Sequence, residues 1–328
     1  MKILDPNIEY LFNIESEEDF ESKALGVFQY QYENSKVYRD FVRLLGIPKE
    51  NVNSLASIPF MPISFFKTHE LNTKPNVDLV FKSSGTTGQI RSQHFVANKL
   101  IYEKSFSEGF DSLYGTLSEF AILALLPSYL EQGDSSLVYM AQSFIEKTKD
   151  NGSDFFLHDF ERLNKAISRL ESENRSYILL GVSYALLDFF EAFPQKMNRG
   201  FIMETGGMKG RREELTKKEL HQILSEKSGG QTIHSEYGMT ELLSQAYSKG
   251  EGIYKSPKWM KVLTRSTTDP LSLVHNQRGL LNVIDLANVN SCSFIATDDI
   301  GLVHQDGSFE VLGRFDTSEI RGCNLMVE

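Results

Sequence analysis

Val77-Asp78-Leu79-Val80-Phe81 runs straight into Lys82-Ser83-Ser84-Gly85-Thr86-Thr87-Gly88-Gln89. The apolar run reads as a strand. The loop after it packs two Ser, two Gly and two Thr into six residues. Such a loop offers bare backbone N–H groups and hydroxyls, which a phosphate chain needs. The glycines allow a tight turn and a close approach of backbone to ligand. It is not a Walker A loop: no Gly-Lys-Ser/Thr ends it, and Gln89 follows Gly88. A polar surface turn is the plain alternative for so short a stretch.

Outward from the loop, Arg91 to Val96 alternates in polarity, which predicts a second strand and a hairpin. On the other side, residues 54 to 75 are a proline-punctuated connector, with Ile58-Pro59-Phe60-Met61-Pro62-Ile63 and then Ser64-Phe65-Phe66-Lys67-Thr68. Residues 16 to 46 read as helical. Ser16 precedes an acidic first turn, and Phe20, Ala24, Val27 and Phe28 follow at helical spacing. A second helix carries Val37, Phe41, Leu44 and Leu45 and stops at Gly46.

From residue 120 the chain alternates between strands and helices. Phe120 to Leu126 is a continuous apolar run, as expected of a strand buried on both faces. Helices are expected over 134–147, over 160–173, from Ser183 and over 212–226. Strands are expected at Tyr177 to Gly181, Phe201 to Met203 and Gln231 to His234. This order predicts an α/β fold with mostly parallel sheets flanked by helices. Ligands in such sheets sit at the carboxyl ends of strands. After about residue 278 the pattern changes to short strands: Gly279 to Asp285, Ser293 to Thr297, Gly301 to His304 and Phe309 to Leu312, with a hairpin turn at Asp306-Gly307. The expected division is a helical segment (1–75), an α/β core (76–277), a small β-rich subdomain (278–318) and a tail (319–328).

The bulk properties narrow the function. With 328 residues, 41% hydrophobic and 24% charged, the chain has the composition of an ordinary globular protein. The 34 Lys and Arg stand against 44 Asp and Glu, for a net charge of −10, which argues against nucleic acid or an anionic membrane as partner. The amino terminus lacks the apolar core of a signal peptide, and no apolar run is long enough to span a bilayer. Two cysteines, Cys292 and Cys323, make no disulfide framework, so a reduced, cytoplasmic protein is expected.

Three further constellations carry chemistry. Ser235-Glu236-Tyr237-Gly238-Met239-Thr240-Glu241 places a carboxylate where it could hold Mg²⁺ shared with substrate phosphates, and Tyr237 where it could stack on a base. A capped helix start is the structural alternative. Thr297-Asp298-Asp299 sets an acidic pair at a strand end, suited to ribose hydroxyls or a metal. Gly313-Arg314-Phe315-Asp316, followed by Arg321-Gly322-Cys323-Asn324, offers an arginine that could reach ribose or phosphate. Each of the last two is otherwise a turn or a surface ion pair.

In this order the stretches resemble the adenylate-forming superfamily of acyl-CoA synthetases, peptide-synthetase adenylation domains and luciferases. Ser83 to Gly88 looks like its phosphate loop, Tyr237 to Glu241 matches Tyr-Gly-x-Thr-Glu, Thr297-Asp298-Asp299 looks like Thr-Gly-Asp with Asp298 in place of Gly, and Gly313 to Asp316 resembles the Gly-Arg-x-Asp hinge. The Arg321-Gly322-x-Asn324 ending and the Val182-Ser183-Tyr184 turn lean towards the phenylacetate–CoA ligase branch. The closest likeness is to the LuxE-type acyl-protein synthetases, the long-chain fatty acid–luciferin-component ligases. It covers nearly the whole chain. Full-length adenylate-forming ligases continue past the hinge into a mobile domain. Here the chain stops at Glu328, so the resemblance implies that this domain is absent.

The resemblance implies ATP and Mg²⁺ as cofactors and a carboxylic acid, of the fatty class, as substrate. Ser83, Ser84, Gly85, Thr86, Thr87 and Gly88 would cradle the β- and γ-phosphates. Thr240 would touch the α-phosphate and Glu241 hold Mg²⁺. Tyr237, Gly238 and Gly207 would line the adenine, and Asp299 and Arg314 the ribose. Cys323 sits where the short synthetases carry their acyl group, with Arg321 beside it to favour a thiolate. The acyl group would pass to a partner protein such as a reductase or carrier. Cys292 reads as packing, with a role as nucleophile only if Cys323 has none. The superfamily's usual Lys after the loop is missing, so either Arg91 is its substitute or the loop binds phosphate less tightly. The other readings are an acyl- or aryl-CoA ligase of the phenylacetate type, and a non-catalytic ATP-binding or carrier-docking module. A homo-oligomer is compatible with all of them.

Overall fold

The computed structural model describes residues 7–84, 90–127, 133–208, 212 and 215–315. The helical start is two helices, Glu17–Asn34 and Lys36–Leu44, divided at Ser35. Ser16 accepts from the Asp19 N–H and Ser35 from the Tyr38 N–H, so each helix begins on a hydroxyl cap. Gly46, at φ +69°, takes the left-handed turn that ends the second. Their buried faces present Phe28 and Tyr38 to Phe294, with ring centroids 6.4 and 6.0 Å away. The buried amide of Gln31 donates to the carbonyls of Asn288 (3.0 Å) and Val289 (2.9 Å) and accepts from the Ser293 N–H (3.1 Å). The helical segment is thereby fixed to the far end of the chain.

Among the described residues one large mixed sheet organises the molecule. One half is parallel, in the spatial order Asp154–Phe155, Ala121–Leu125, Tyr177–Val182, Gly200–Thr205 and His234–Tyr237. Ala121–Leu125 and Tyr177–Val182 are buried along their whole length, as continuous apolar runs demand. Helices Ser136–Thr148, Phe160–Ser172, Ser183–Ala192 and Lys217–Lys227 alternate with these strands. The last begins five residues later than expected, because Thr216 and Glu219 close a capping box there.

The other half is antiparallel: Ala246–Ser248, Ile253–Lys255, Phe309–Arg314, Phe294–Val303, Gly279–Asp285, Met260–Arg265 and Leu273–Val274. Among the described residues no α-helix follows Lys227, so the change comes ahead of the one the sequence pattern marks near 278. Phe294–Val303 is one strand where two are expected, and its register shifts between Ile300 and Gly301. Direction reverses between His234–Tyr237 and Ala246–Ser248. The glycine-loop strands Leu79–Lys82 and Gln93–Val96 form a separate antiparallel hairpin, as expected. Helix Lys99–Tyr114, capped by Asn98, occupies a stretch to which the sequence reading assigns no element.

Candidate active site

The hairpin delivers Ser83 to the site's edge. The Ser83 N–H donates to the Ser92 carbonyl (3.0 Å), and the Ser92 N–H donates to the Ser83 hydroxyl (2.9 Å). Gly85, Thr86, Thr87, Gly88 and Gln89 lie outside the described residues. Arg91, expected to stand in for a phosphate-binding lysine, spans the neck of the loop. It donates to the carbonyls of Ser83 and Lys82 and pairs with Asp134 at 2.9 Å. In this arrangement its guanidinium serves the loop's own backbone.

Strand His234–Tyr237 lies three residues beyond the expected Gln231 to His234. Its residues are polar, and they are buried because partners satisfy them. Glu204, wholly buried on the neighbouring strand, accepts from Ser235 Oγ (2.6 Å) and Lys217 Nζ (2.5 Å) and meets His221 Nε2 at 3.2 Å. Burial pushes this carboxyl up, but His221, Lys217 and Ser235 outweigh it and hold the pKa at about 2. Glu236, on the opposite face, accepts from the Thr205 hydroxyl, and burial pushes it up to about 7. A Cβ at position 238 would stand 2.2 Å from Glu236 Oε1, so any side chain there would have to displace that carboxylate.

Tyr237 ends the strand with its ring edge-on to Tyr254 and Phe309, at 5.8 and 5.4 Å. Its hydroxyl donates to Asp299 Oδ2 at 2.8 Å. Asp299 lies opposite Arg314 in the antiparallel register. Burial raises the Asp299 carboxyl pKa, and the Tyr237 hydrogen bond and Arg314 oppose that shift. Gly206 takes φ +68°, and open space lies in front of Gly207, since a Cβ there would meet nothing within 4 Å. The extra charge of Asp298 is countered from within: Arg265 is buried beside it and donates to the Thr297 carbonyl at 2.6 Å.

Glu241 is buried, with 6% of its surface exposed. Burial raises its pKa, while a hydrogen bond from the Ser92 side chain and the fields of Arg314 and Lys67 act to lower it. Ser92 thus touches both the loop neck and Glu241, and ties two stretches that the sequence separates. Among the described residues no three His, Cys, Asp or Glu side chains cluster to cage a metal. A single carboxylate suits Mg²⁺ instead, which keeps few protein ligands and shares phosphate oxygens. Thr240 is partly exposed beside it.

The structure therefore brings together Ser83, Tyr237, Asp299, Arg314, Thr240 and Glu241. Ser84 is exposed at the last described position before the loop. Cys323, Arg321 and Asp316 lie outside the described residues. Cys292 has no exposed surface, its thiol donates to the Phe294 carbonyl at 3.5 Å, and burial pushes it up to about 12. That leaves it a packing residue. The sequence reading misses Ser92, His94, Asn288 and Asp285, polar residues that belong to no motif.

A family model described as acyl-protein synthetase, LuxE, matches residues 8–328. A long-chain-fatty-acid–luciferin-component ligase from Vibrio harveyi is 26% identical over 331 residues, covering 92% of this chain and 85% of its own. The like-named ligase from Aliivibrio fischeri is 24% identical over 330 residues, covering 91% and 85%. Among solved structures, an open conformation of 2-hydroxyisobutyryl-CoA ligase with 2-HIB-AMP and CoA aligns with a TM-score of 0.65 at 12% identity, over 97% of this chain and 77% of its own. ATP-bound MatB from Rhodopseudomonas palustris aligns with a TM-score of 0.53 at 16% identity, over 74% of this chain and 49% of MatB, about half its length. At such identities the structures share a fold. With family model, curated relatives and fold in agreement, the chain belongs to the LuxE family of acyl-protein synthetases, ligases that activate a fatty acid and transfer its acyl group.

Proposed function

We propose that this site joins a fatty acid to AMP from ATP, and that Cys323 then accepts the acyl group as a thioester. The observation that carries the first step is the buried Glu241, joined to the loop neck through Ser92 and flanked by Arg314 and Lys67. A carboxylate is a poor electrophile, because its leaving group would be an oxide. Its oxygen would attack the α-phosphorus, the bond to the β-phosphate bridging oxygen would break, and pyrophosphate would leave. The protein's task is to place and neutralise charge. Glu241 would hold Mg²⁺, which supplies charge neutralisation on the phosphates. Thr240 would meet the α-phosphate, Tyr237 and Gly207 the adenine, and Asp299 and Arg314 the ribose.

In the second step Cys323 Sγ, as thiolate, would attack the acyl carbon. The C–S bond forms, the C–O bond to AMP breaks, AMP leaves and the thiol proton passes to solvent. An ordinary thiol pKa near ~8.5 needs only modest lowering for this. A reducing, cytoplasmic setting suits a reactive thiol, and the thioester would go to an acceptor protein such as a reductase or carrier.

The test is the intact mass of wild type and Cys323→Ala after incubation with Mg-ATP and a panel of fatty acids. A hydroxylamine-labile, acyl-sized gain in wild type alone supports both steps. Pyrophosphate release without mass gain in either protein would leave adenylation standing and remove Cys323 from the scheme.

A further inference from the structure

His94 is a wholly buried imidazole on strand Gln93–Val96, the return strand of the glycine-loop hairpin. Its Nδ1 lies 2.7 Å from the Thr240 carbonyl oxygen and its Nε2 2.8 Å from Ser291 Oγ. A carbonyl only accepts, so Nδ1 carries the proton. Burial pushes the imidazole pKa down to about 4 and keeps it neutral, which leaves Nε2 to accept from the Ser291 hydroxyl. One tautomer satisfies both bonds, and the Phe66 ring stands edge-on at 5.5 Å and fixes the plane.

Residues 238–245 form neither helix nor strand, so no regular ladder sets their carbonyl directions. Side chains from other elements do this. His94 takes the Thr240 carbonyl, and Asn288 Nδ2 donates to the next one, of Glu241, at 2.7 Å. Asp285 then accepts the N–H groups of Leu243 and Ser244, each at 2.9 Å. A buried imidazole is costlier than an aliphatic side chain of similar size unless its bonds are made. Here both are made, and one of them falls on the peptide between the two residues of highest chemical interest.

We propose that His94 is a positioning residue: its Nδ1–H fixes the Thr240 carbonyl and thereby couples the glycine-loop hairpin to the Thr240–Glu241 turn. The proposal rests on the adenylation reading above. An unheld peptide at this point would swing the Thr240 hydroxyl and the Glu241 carboxylate together, and small misplacements are expensive in a site that works by orientation.

The test compares His94→Asn, whose amide can keep the donor near the Nδ1 position, with His94→Gln, which places its amide near Nε2. Acid-dependent ATP–pyrophosphate exchange and the Mg²⁺ concentration for half-maximal rate are measured, with melting temperature as a control. His94→Asn should stay within about threefold of wild-type kcat, and His94→Gln should lose about 10- to 100-fold with an unchanged KM for the acid and a raised Mg²⁺ requirement. Equal kcat and Mg²⁺ requirement in the two variants would overturn the coupling while leaving adenylation intact. Wild-type protein that exchanges no pyrophosphate with any acid would instead overturn the adenylation reading, and the role of His94 with it. Should His94→Gln not fold, Ser291→Ala takes its place: it removes the hydroxyl that holds Nε2 and so frees the ring to turn away from the Thr240 carbonyl, and a wild-type Mg²⁺ requirement in it would overturn the proposal.

Discussion

The phenol of Tyr237 donates to a carboxylate oxygen of Asp299 at 2.8 Å and so joins the carboxyl end of a parallel strand to an antiparallel one. Asp299 is also the register partner of Arg314. A ribose bound here, as proposed, would meet a carboxylate held by one donor and lying in the field of one cation. Tyr237→Phe keeps the ring packing against Tyr254 and Phe309 and removes only the donor. Loss of one hydrogen bond to a charged group should raise the KM for ATP about tenfold. The KM for the acid should not move. A matching rise in both constants would mean that the pair shapes the whole site rather than the nucleotide end.

Glu241→Gln tests the metal assignment. The isosteric amide cannot hold Mg²⁺ as a carboxylate does, so exchange should fall about 100-fold or more. The melting temperature should not fall, since a buried charge is lost. Burial holds the Glu241 pKa above the ordinary range, so its carboxylate fraction declines at a higher pH than that of an exposed glutamate. In wild type the Mg²⁺ concentration for half-maximal rate should therefore rise as pH falls. Titrations at two pH values that superpose would remove Glu241 as the metal's ligand.

What the sequence tells and hides divides along physical lines. Ala121–Leu125 and Tyr177–Val182 are legible because strands buried on both faces must be apolar throughout. His234–Tyr237 is buried from Ser235 onward but polar, and hydropathy cannot see the partners, Glu204 and Thr205, that make its burial tolerable. Phe294–Val303 reads as two strands because Asp298 and Asp299 interrupt its pattern. Helix Lys99–Tyr114 was readable: Ile101, Tyr102, Phe106 and Phe110 recur at helical spacing behind an Asn98 cap. In the site, residues carried by motifs are legible and their struts are not. His94 meets Thr240 across 146 positions and Asn288 meets Glu241 across 47, and a lone His or Asn carries no signal of such a contact.

Glu236 makes a prediction about stability. Burial raises its folded pKa to about 7, above an unfolded value near ~4.3. The native state then binds more protons than the unfolded state between those values. Its contribution is fully present below the unfolded pKa and is lost as pH rises through the folded one. Glu236→Gln keeps the size and the contact with Thr205 and removes the titration. Its stability relative to wild type should improve by about 1–3 kcal/mol from pH 4 to pH 8 in chemical denaturation. The same difference at both pH values would mean that Glu236 titrates normally.

Cys292 should be silent towards thiol reagents in the folded protein. Two barriers act together: it has no exposed surface, and a thiol pKa of about 12 leaves only about one part in 10⁴ or less as thiolate near neutral pH. Neither barrier survives unfolding, so its alkylation should proceed only through opening of the core around Phe294 and should track global stability. Iodoacetamide labelling in rising denaturant, read by peptide mapping, checks this. Cys292→Ala should cost about 1–2 kcal/mol, as a small buried truncation does, and should leave any acyl mass gain in place. Cys292 labelled in native buffer as fast as in denaturant would show that the thiol is reached without unfolding, and would return it to the list of candidate acyl acceptors.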